Sequence, residues 1–561
     1  MSFRRELIGY DALTAQLEEW AAEHPDFVKL ESAGKSGDGR ELWVLVVGRE
    51  PSRPRPAAWV DGNMHASELA GTNVCLAIAE DLIALHSGRS KLPAPMAQTV
   101  SDMLVYIMPR MSPDGAEVVL EEARYVRSVP RDDRSAKELA RWVSSDLDGD
   151  GRALLMRVED PGGEFVESAS RRGLMVIRTL EDTGPFYKLY PEGTIEGYDG
   201  VEIPSPNFLS DNDTDLNRNF PYHWAPEPDQ VGAGSYALSA PESRAVVEYT
   251  SARPHLYVWL NFHCFGGVHI RPLGGARDTK MEPYDLALFK QLEEWAEEHT
   301  GYPMVSGFEE FTYEEGKALH GDLLDYAYHQ RGCLSWVCEL WDIFEQLGLE
   351  RPARFVERYT TMERKDFEAL YDWDAKRNDK RLFQPWVAVE HPQLGAAEVG
   401  GLDPRYGIWN PPPDELEKIC DGQAALFLRA CAMVPKLRIR DTKVEPLGGD
   451  TFRISAQLVN EGYMPTNGVD VAMGRPFNEE LYVHVEADAA EVAAGDSKVQ
   501  LGHLRGWGHG RHSGFGGLFF QRSQGSAHMR QVSAVVKGSG KVRVRFGSSR
   551  TGFVEEELVL S

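Results

Sequence analysis

No run in this sequence reaches the roughly 18 apolar residues that a membrane-crossing helix needs, so no membrane partner is expected. The N-terminus, MSFRRELIGYDALTAQLEEW, carries two arginines but no apolar block or small-residue cleavage site after them, so it reads as mature protein and export is not expected. Cationic residues are scarce: 60 Lys and Arg stand against 87 Asp and Glu, a formal charge of −27. Phosphate backbones repel such a chain, which argues against nucleic acid as a partner. The six cysteines show no CxxC spacing, so zinc-ribbon and thioredoxin-like readings fail, and reduced thiols in the cytoplasm are the expectation. No tandem repeat of fixed period is visible.

What remains is a chain of 561 residues, 42% hydrophobic and 26% charged, within the range of folded globular proteins. DALTAQLEEWAAEH carries apolar residues at helical spacing behind a candidate cap at Asp11. LSAPESRAVVEYT places Ser239 three residues before Glu242, a capping-box pattern, and YDLALFKQLEEWAEEH reads as a further helix. LVYIMPRM and HLYVWLNFHCF are short apolar runs bounded by turn residues, as buried strands are. Strands alternating with helices predict an α/β domain over residues 1–436. A Gly-, Asp- and Pro-rich stretch at about 128–210 reads as an insertion into it. From 437 to 561, alternating runs such as TFRISAQLVN, LYVHVEA and KVRVRF between Gly-rich turns predict a small all-β sandwich.

The segment DGNMHASELAGT lies where the apolar run PAAWV ends and the amphipathic LAGTNVCLAIAEDLIALH begins. His65 and Glu68 there form an HxxE pair, which can offer an imidazole and a carboxylate to one metal ion; a catalytic zinc site needs a third ligand and an open position. Five segments, NMHASE, MPRMSPDGAE, DLNRNFPYHW, LNFHCFGG and DYAYHQRGCLSWVCEL, taken in order, resemble the zinc carboxypeptidases, the carboxypeptidase A-like metallopeptidases. The resemblance implies a mixed twisted sheet flanked by helices and one Zn²⁺ per chain. It implies His65, Glu68 and His263 as the zinc ligands and Glu339 as the general base on the zinc water. Arg127 matches the arginine that stabilises the oxyanion, with Arg124 and Arg131 as nearby competitors. Asn217 and Arg218 match the pair that binds the terminal carboxylate, Leu324 the base of the side-chain pocket, and Tyr313 the mobile tyrosine, there with altered spacing. An aliphatic pocket base favours apolar or aromatic C-terminal residues.

Bland readings compete at each position: a buried ion pair of Glu339 with Arg331 or Lys317, a surface role for Arg127, and pairing of Arg218 with Asp215. Cys264 and Phe265 replace the family's small hydroxyl residue and tyrosine. Asp61 is a candidate acceptor for an imidazole N–H. In the insertion, DLDGDGR sets Asp146, Asp148 and Asp150 at alternate positions like the opening of a calcium loop, yet Arg157 stands where the closing glutamate belongs. A Ca²⁺ site closed by Glu159 and a solvated turn both stay open. His503, His509 and His512 in a glycine-rich stretch read as a loop. The expected function is a zinc metallocarboxypeptidase acting on peptides with a free C-terminal carboxylate. A zinc amidase or deacylase acting on cell-wall peptides or acyl amino acids is the alternative, and a metal-free binding module is the least favoured.

Overall fold

The computed structural model describes residues 3–131, 140–206, 214–227, 229–487, 490–508 and 523–560. Its centre is an eight-stranded mixed sheet in the order Val28–Lys35, Glu41–Val47, Leu104–Met108, Ala57–Asp61, Leu256–Cys264, Leu334–Leu340, Val268–Arg271, Met304–Ser306. The four middle strands run parallel, and both outer flanks bring in antiparallel pairs. Every residue of Ala57–Asp61, Leu104–Met108 and Leu256–Cys264 is buried, because helices cover both faces. Helices Ala70–His86, Pro283–Thr300 and Pro413–Cys431 pack on one face around Val60, Val258, Leu260 and Phe262. Helix Pro241–Ser251 lies on the other, with Trp59, Trp259 and Tyr249.

Two helix starts differ from the pattern in the sequence. The first helix begins at Tyr10, so Asp11 sits inside its first turn rather than capping it. Pro241 opens its helix behind Ala240, and Glu242 does not close a capping box: its carboxylate accepts from Arg131 at 2.9 Å and from the Gly37 amide at 3.0 Å. A charge-assisted bond to arginine outcompetes a local bond to the backbone.

The 128–210 stretch contributes strands rather than helices. Arg141–Ser144 pairs with Gly193–Glu196, while Leu155–Glu159, Phe165–Glu167, Met175–Ile177 and Phe186–Pro191 join a six-stranded antiparallel sheet. That sheet is completed by Phe383–His391 and Gly395–Leu402, which come from much later in the chain. Arg157 ties the two segments, pairing with Glu398 at 2.7 Å and Glu167 at 3.1 Å and lying over the Tyr187 and Trp386 rings.

Residues from Leu437 onward form two four-stranded antiparallel sheets with Phe452, Ile454, Leu458, Val483, Val536 and Phe546 between them, a β-sandwich. Its seam with the α/β part combines apolar packing, with Met464, Val469 and Ala472 joining the α/β core cluster, and buried polar contacts. Arg550 is fully buried, donates to the carbonyls of Pro254 (2.9 Å) and Gly332 (2.8 Å), and lies over the Tyr257 ring. Asp285 accepts from the Tyr328 hydroxyl and from the Asp470 and Val471 amides.

Two expectations follow from buried polar groups. Arg550→Met strips the donors from these carbonyls and lowers unfolding free energy by about 3 kcal/mol, read as a lower urea midpoint. Burial holds both His255 and His269 down at about 3, with nearby arginines adding to the effect at His255. Their folded pKa values are depressed, so the unfolded chain binds more protons once pH falls below the usual histidine value near 6.5. Stability from these rings is therefore full above that pH and is lost between about 6.5 and 3. The urea midpoint drops from pH 7 to pH 4.5, and His269→Gln makes that drop smaller.

Candidate metal centre

The centre is built at the end of the Ala57–Asp61 strand. Gly62 passes so close to Gly71 that a Cβ on it would meet the Gly71 backbone at 2.6 Å, so the chain can fold back onto the helix start only with glycine there. Asn63, at φ 55°, donates its amide to the His65 and Ala66 carbonyls, which knots the turn. Helix Ala70–His86 has no side-chain cap of its own; Asn410 accepts from the Ala70 amide at 2.9 Å and donates to the Ser67 carbonyl. The HxxE turn is thus clamped from a residue far along the chain.

His65 Nδ1 and His263 Nδ1 lie 3.0 Å apart, with Glu68 Oε1 2.8 Å from the first and Oε2 3.0 Å from the second. All three residues are buried. The far ring nitrogens are engaged: His65 Nε2 donates to Asp215 at 3.0 Å, and His263 Nε2 donates to the Asn261 side-chain oxygen. With the ring protons held there, both Nδ1 lone pairs and the carboxylate point into one space. Only a cation relieves that crowding of lone pairs, so this donor set fits a divalent metal with two imidazoles and one carboxylate. Burial alone would raise the Glu68 carboxyl, but the positive charge of the facing imidazoles when they are protonated holds it below its usual range.

Asp61 does not touch an imidazole, contrary to the sequence reading. It accepts from Trp59 Nε1 (2.6 Å), Trp259 Nε1 (2.9 Å) and the Asn261 amide, and so orients the residue that receives the His263 proton. Register explains the arrangement: Asn261 is the cross-strand partner of Asp61, and His263 that of Glu339. Neither acceptor, Asn261 nor Asp215, stands out in the sequence, since pairing between strands brings in one and a loop the other.

Glu339 stands beside His263 on the same sheet face, partly exposed; its backbone carbonyl accepts from the Gly267 amide at 2.9 Å, while its carboxylate accepts no hydrogen bond among the described residues. Burial, then the negative Glu68, pushes its carboxyl well above the usual range, against the pull of Arg127. The competing ion pairs are absent: Lys317 pairs with Glu314, and Arg331 lies over the Phe477 ring. Arg127 donates from Nε and Nη2 to Asp215 at 3.1 and 3.0 Å and approaches Glu68 at 3.5 Å. Its competitors are elsewhere, Arg124 on Glu122 and Arg131 on Glu242. Because Asp215 serves His65 and Arg127, it is not the partner of Arg218. The Arg218 guanidinium donates to the Asn217 carbonyl at 2.7 Å and has no carboxylate within ion-pair distance among the described residues. The Asn217 side-chain oxygen accepts from the Leu323 amide, fixing this pair to the short helix Leu323–Asp325.

Leu324 is buried with Val268, Ile270, Val305 and Val337. Asp322 and Asp325 flank it; a Cβ on Gly274 would lie 3.4 Å from a carboxylate oxygen of each, a feature the sequence reading missed. Tyr313 is 58% exposed as a residue and lies within electrostatic reach of Glu339, Arg127 and Arg218. Cys264 is a buried thiol whose amide donates to Glu68.

The acidic loop arranges itself differently from the sequence pattern. Asp146 and Asp148 group with Glu192, whereas Asp150 is drawn away by Arg152 at 2.6 Å. Position 157 is occupied by the ion-paired arginine already described, and Glu159 is not in the group. His503 lies 3.3 Å from the Thr466 hydroxyl, while His509 and His512 lie outside the described residues.

Comparison with known proteins gives the same direction. Mouse carboxypeptidase M is 32% identical over 112 residues, 19% of this chain and 24% of that protein. The human carboxypeptidase N catalytic chain is 33% identical over 112 residues, again 19% and 24%. The chain thus spans about a quarter of the length of the curated relatives it matches. Among solved structures, thrombin activatable fibrinolysis inhibitor is similar at 16% identity over 77% of this chain and 75% of its own, with a TM-score of 0.43. Residues 436–559 match a domain of unknown function. The zinc carboxypeptidase profile matches residues 13–149 and 200–363, more than half of the sequence, and the chain belongs to the zinc carboxypeptidase family.

Proposed function

We propose that this chain is a zinc-dependent carboxypeptidase that hydrolyses the last peptide bond of peptides with a free C-terminal carboxylate. The observation that carries the reading is the meeting of His65, Glu68 and His263 beside Glu339, with no carboxylate among the described residues paired to the Arg218 guanidinium. His65, Glu68 and His263 would hold the zinc, which when bound polarises a carbonyl and acidifies water. Glu339 takes a proton from the attacking water at its carboxylate and passes it to the departing amine. Arg127, oriented by Asp215, donates to the oxygen on which negative charge develops. Arg218 and Asn217 receive the terminal carboxylate, a guanidinium fork with an amide beside it. The Leu324 cluster favours an apolar or aromatic C-terminal side chain.

Three outcomes are expected. The purified chain contains about one zinc, and Asp215→Asn weakens zinc retention against a competing chelator by roughly 10- to 100-fold. Glu339→Gln keeps the zinc and loses at least a thousandfold in kcat; retained turnover removes the general-base role. Amidation of the C-terminus slows cleavage of a peptide ending in Phe at least a hundredfold, and equal rates on free and amidated peptides sink the assignment of Arg218. The same series read with Lys and Arg termini locates the side chain: a preference for cations transfers it from Leu324 to Asp322. Hydrolysis of acyl amino acids or cell-wall peptides with no cleavage of ordinary peptides selects the amidase alternative.

A further inference from the structure

An apolar pocket of about 240 Å³ is walled by Tyr125, two residues before Arg127, and by Leu154, Leu155, Leu402, Pro404 and Trp409, with no charged residue lining it. Drug-sized ligands occupy roughly 300–1,000 Å³, so this space suits a single side chain. Three separate stretches of chain form its walls, and each is held by specific bonds. The Leu154 amide donates to Glu192 at 2.9 Å, and the Ala153 amide donates to the Glu122 carbonyl at 2.9 Å. Arg405, paired with Asp403, reaches the carbonyls of Val119 and Leu120 at 3.2 and 3.0 Å.

The pocket joins the centre along two paths. Tyr125 stands two residues before Arg127, on a segment whose Val126 and Arg127 carbonyls accept from the Ser67 hydroxyl (3.3 Å) and the Ala66 amide (2.9 Å) of the HxxE turn, and Arg127 in turn holds Asp215. The Trp409 ring stands 5.7 Å from Tyr125 and meets Phe265 edge-on at 5.3 Å, two residues beyond His263. Asn217 and Arg218 are tied instead to Leu323, on the flank that shares no wall with the pocket. A substrate with its terminal carboxylate at Arg218 and its reacting carbonyl at Arg127 continues past Tyr125 with its acyl part.

We propose that this pocket seats an apolar side chain of the peptide on the acyl side, N-terminal to the bond that is cut; the proposal rests on the carboxypeptidase reading above. Its polypeptide walls come partly from the Leu155–Glu159 and Gly395–Leu402 strands, so the second sheet contributes directly to substrate choice.

The test compares acetyl-Gly-Gly-Phe with acetyl-Gly-Phe-Phe and acetyl-Phe-Gly-Phe on the zinc-loaded full chain. One of the two aromatic peptides is expected to show kcat/KM roughly 10- to 100-fold above the glycine peptide, the range that burying one apolar side chain supports. Leu155→Trp, which fills the pocket, and Leu155→Asp, which charges it, each bring that ratio to within about threefold of unity. A ratio is used because loss of folded protein lowers all three rates together. A wild-type ratio near one, or one that survives both substitutions, overturns the proposal. So does octanoyl-Gly-Phe outperforming both aromatic peptides, which assigns the pocket to an acyl chain instead. Calorimetric binding of acetyl-Gly-Phe, acetyl-Phe-Gly and acetyl-Gly-Gly separates the two levels of inference. If no peptide is cut, the carboxypeptidase reading falls, and the pocket stands only if one aromatic ligand binds selectively and Leu155→Trp removes that selectivity.

Discussion

A carboxylate buried between parallel strands fixes the geometry of this protein's centre. Asp61 gathers two indole donors and the Asn261 amide inside a sheet that water does not reach. Burial pushes this carboxyl up to about 7, and the three donors pull against that rise. The same bonds lock the Ala57–Asp61 strand to the Leu256–Cys264 strand in one register, because a slip of one residue would turn Asn261 away from Asp61. From that register follows the orientation of His263, and from His263 the position of the ligand cluster. The histidine is aimed by its neighbours two residues back and one strand across, not by its own rotamer preference.

Several parts of this could be read from the amino acids alone. The α/β pattern, the terminal sandwich and the apolar strands around His263 and Glu339 are carried by local periodicity. The HxxE spacing and the DLNR segment are short-range features too. What could not be read depends on contacts between distant segments. Asn410 clamps the HxxE turn from the far end of the domain, and no spacing rule points to it. Asp215 resembles a partner for Arg218, its near neighbour in sequence, yet His65 and Arg127 claim both of its oxygens. Glu242 resembles a capping residue and is drawn to Arg131. In each case a nearby partner loses to a distant charge or ring that tertiary packing delivers.

The acidic loop teaches the same point. Three aspartates at alternate positions suggest a common target, but Arg152 holds Asp150, and the carboxylate that joins the other two, Glu192, comes from the end of a strand more than thirty residues later. Glu192 also accepts from the Leu147 and Leu154 amides, so one side chain shapes the loop and steadies a wall of the apolar pocket. The geometry of the loop and of the pocket wall are therefore coupled through a single buried glutamate.

The second sheet is assembled from two lengths of chain that leave the ribosome far apart in time. Leu155 pairs with Gly400, and at about 5–20 residues per second the partner strand emerges roughly 12 to 50 seconds later. Throughout that interval the Leu155–Glu159 strand presents an unpaired edge, with Met156 and Val158 seeking cover. Biosynthesis thus contains a waiting period in which one side of this sheet has no partner strand. The length of that interval is set by topology, at the strand that also contributes Leu155 to the apolar pocket.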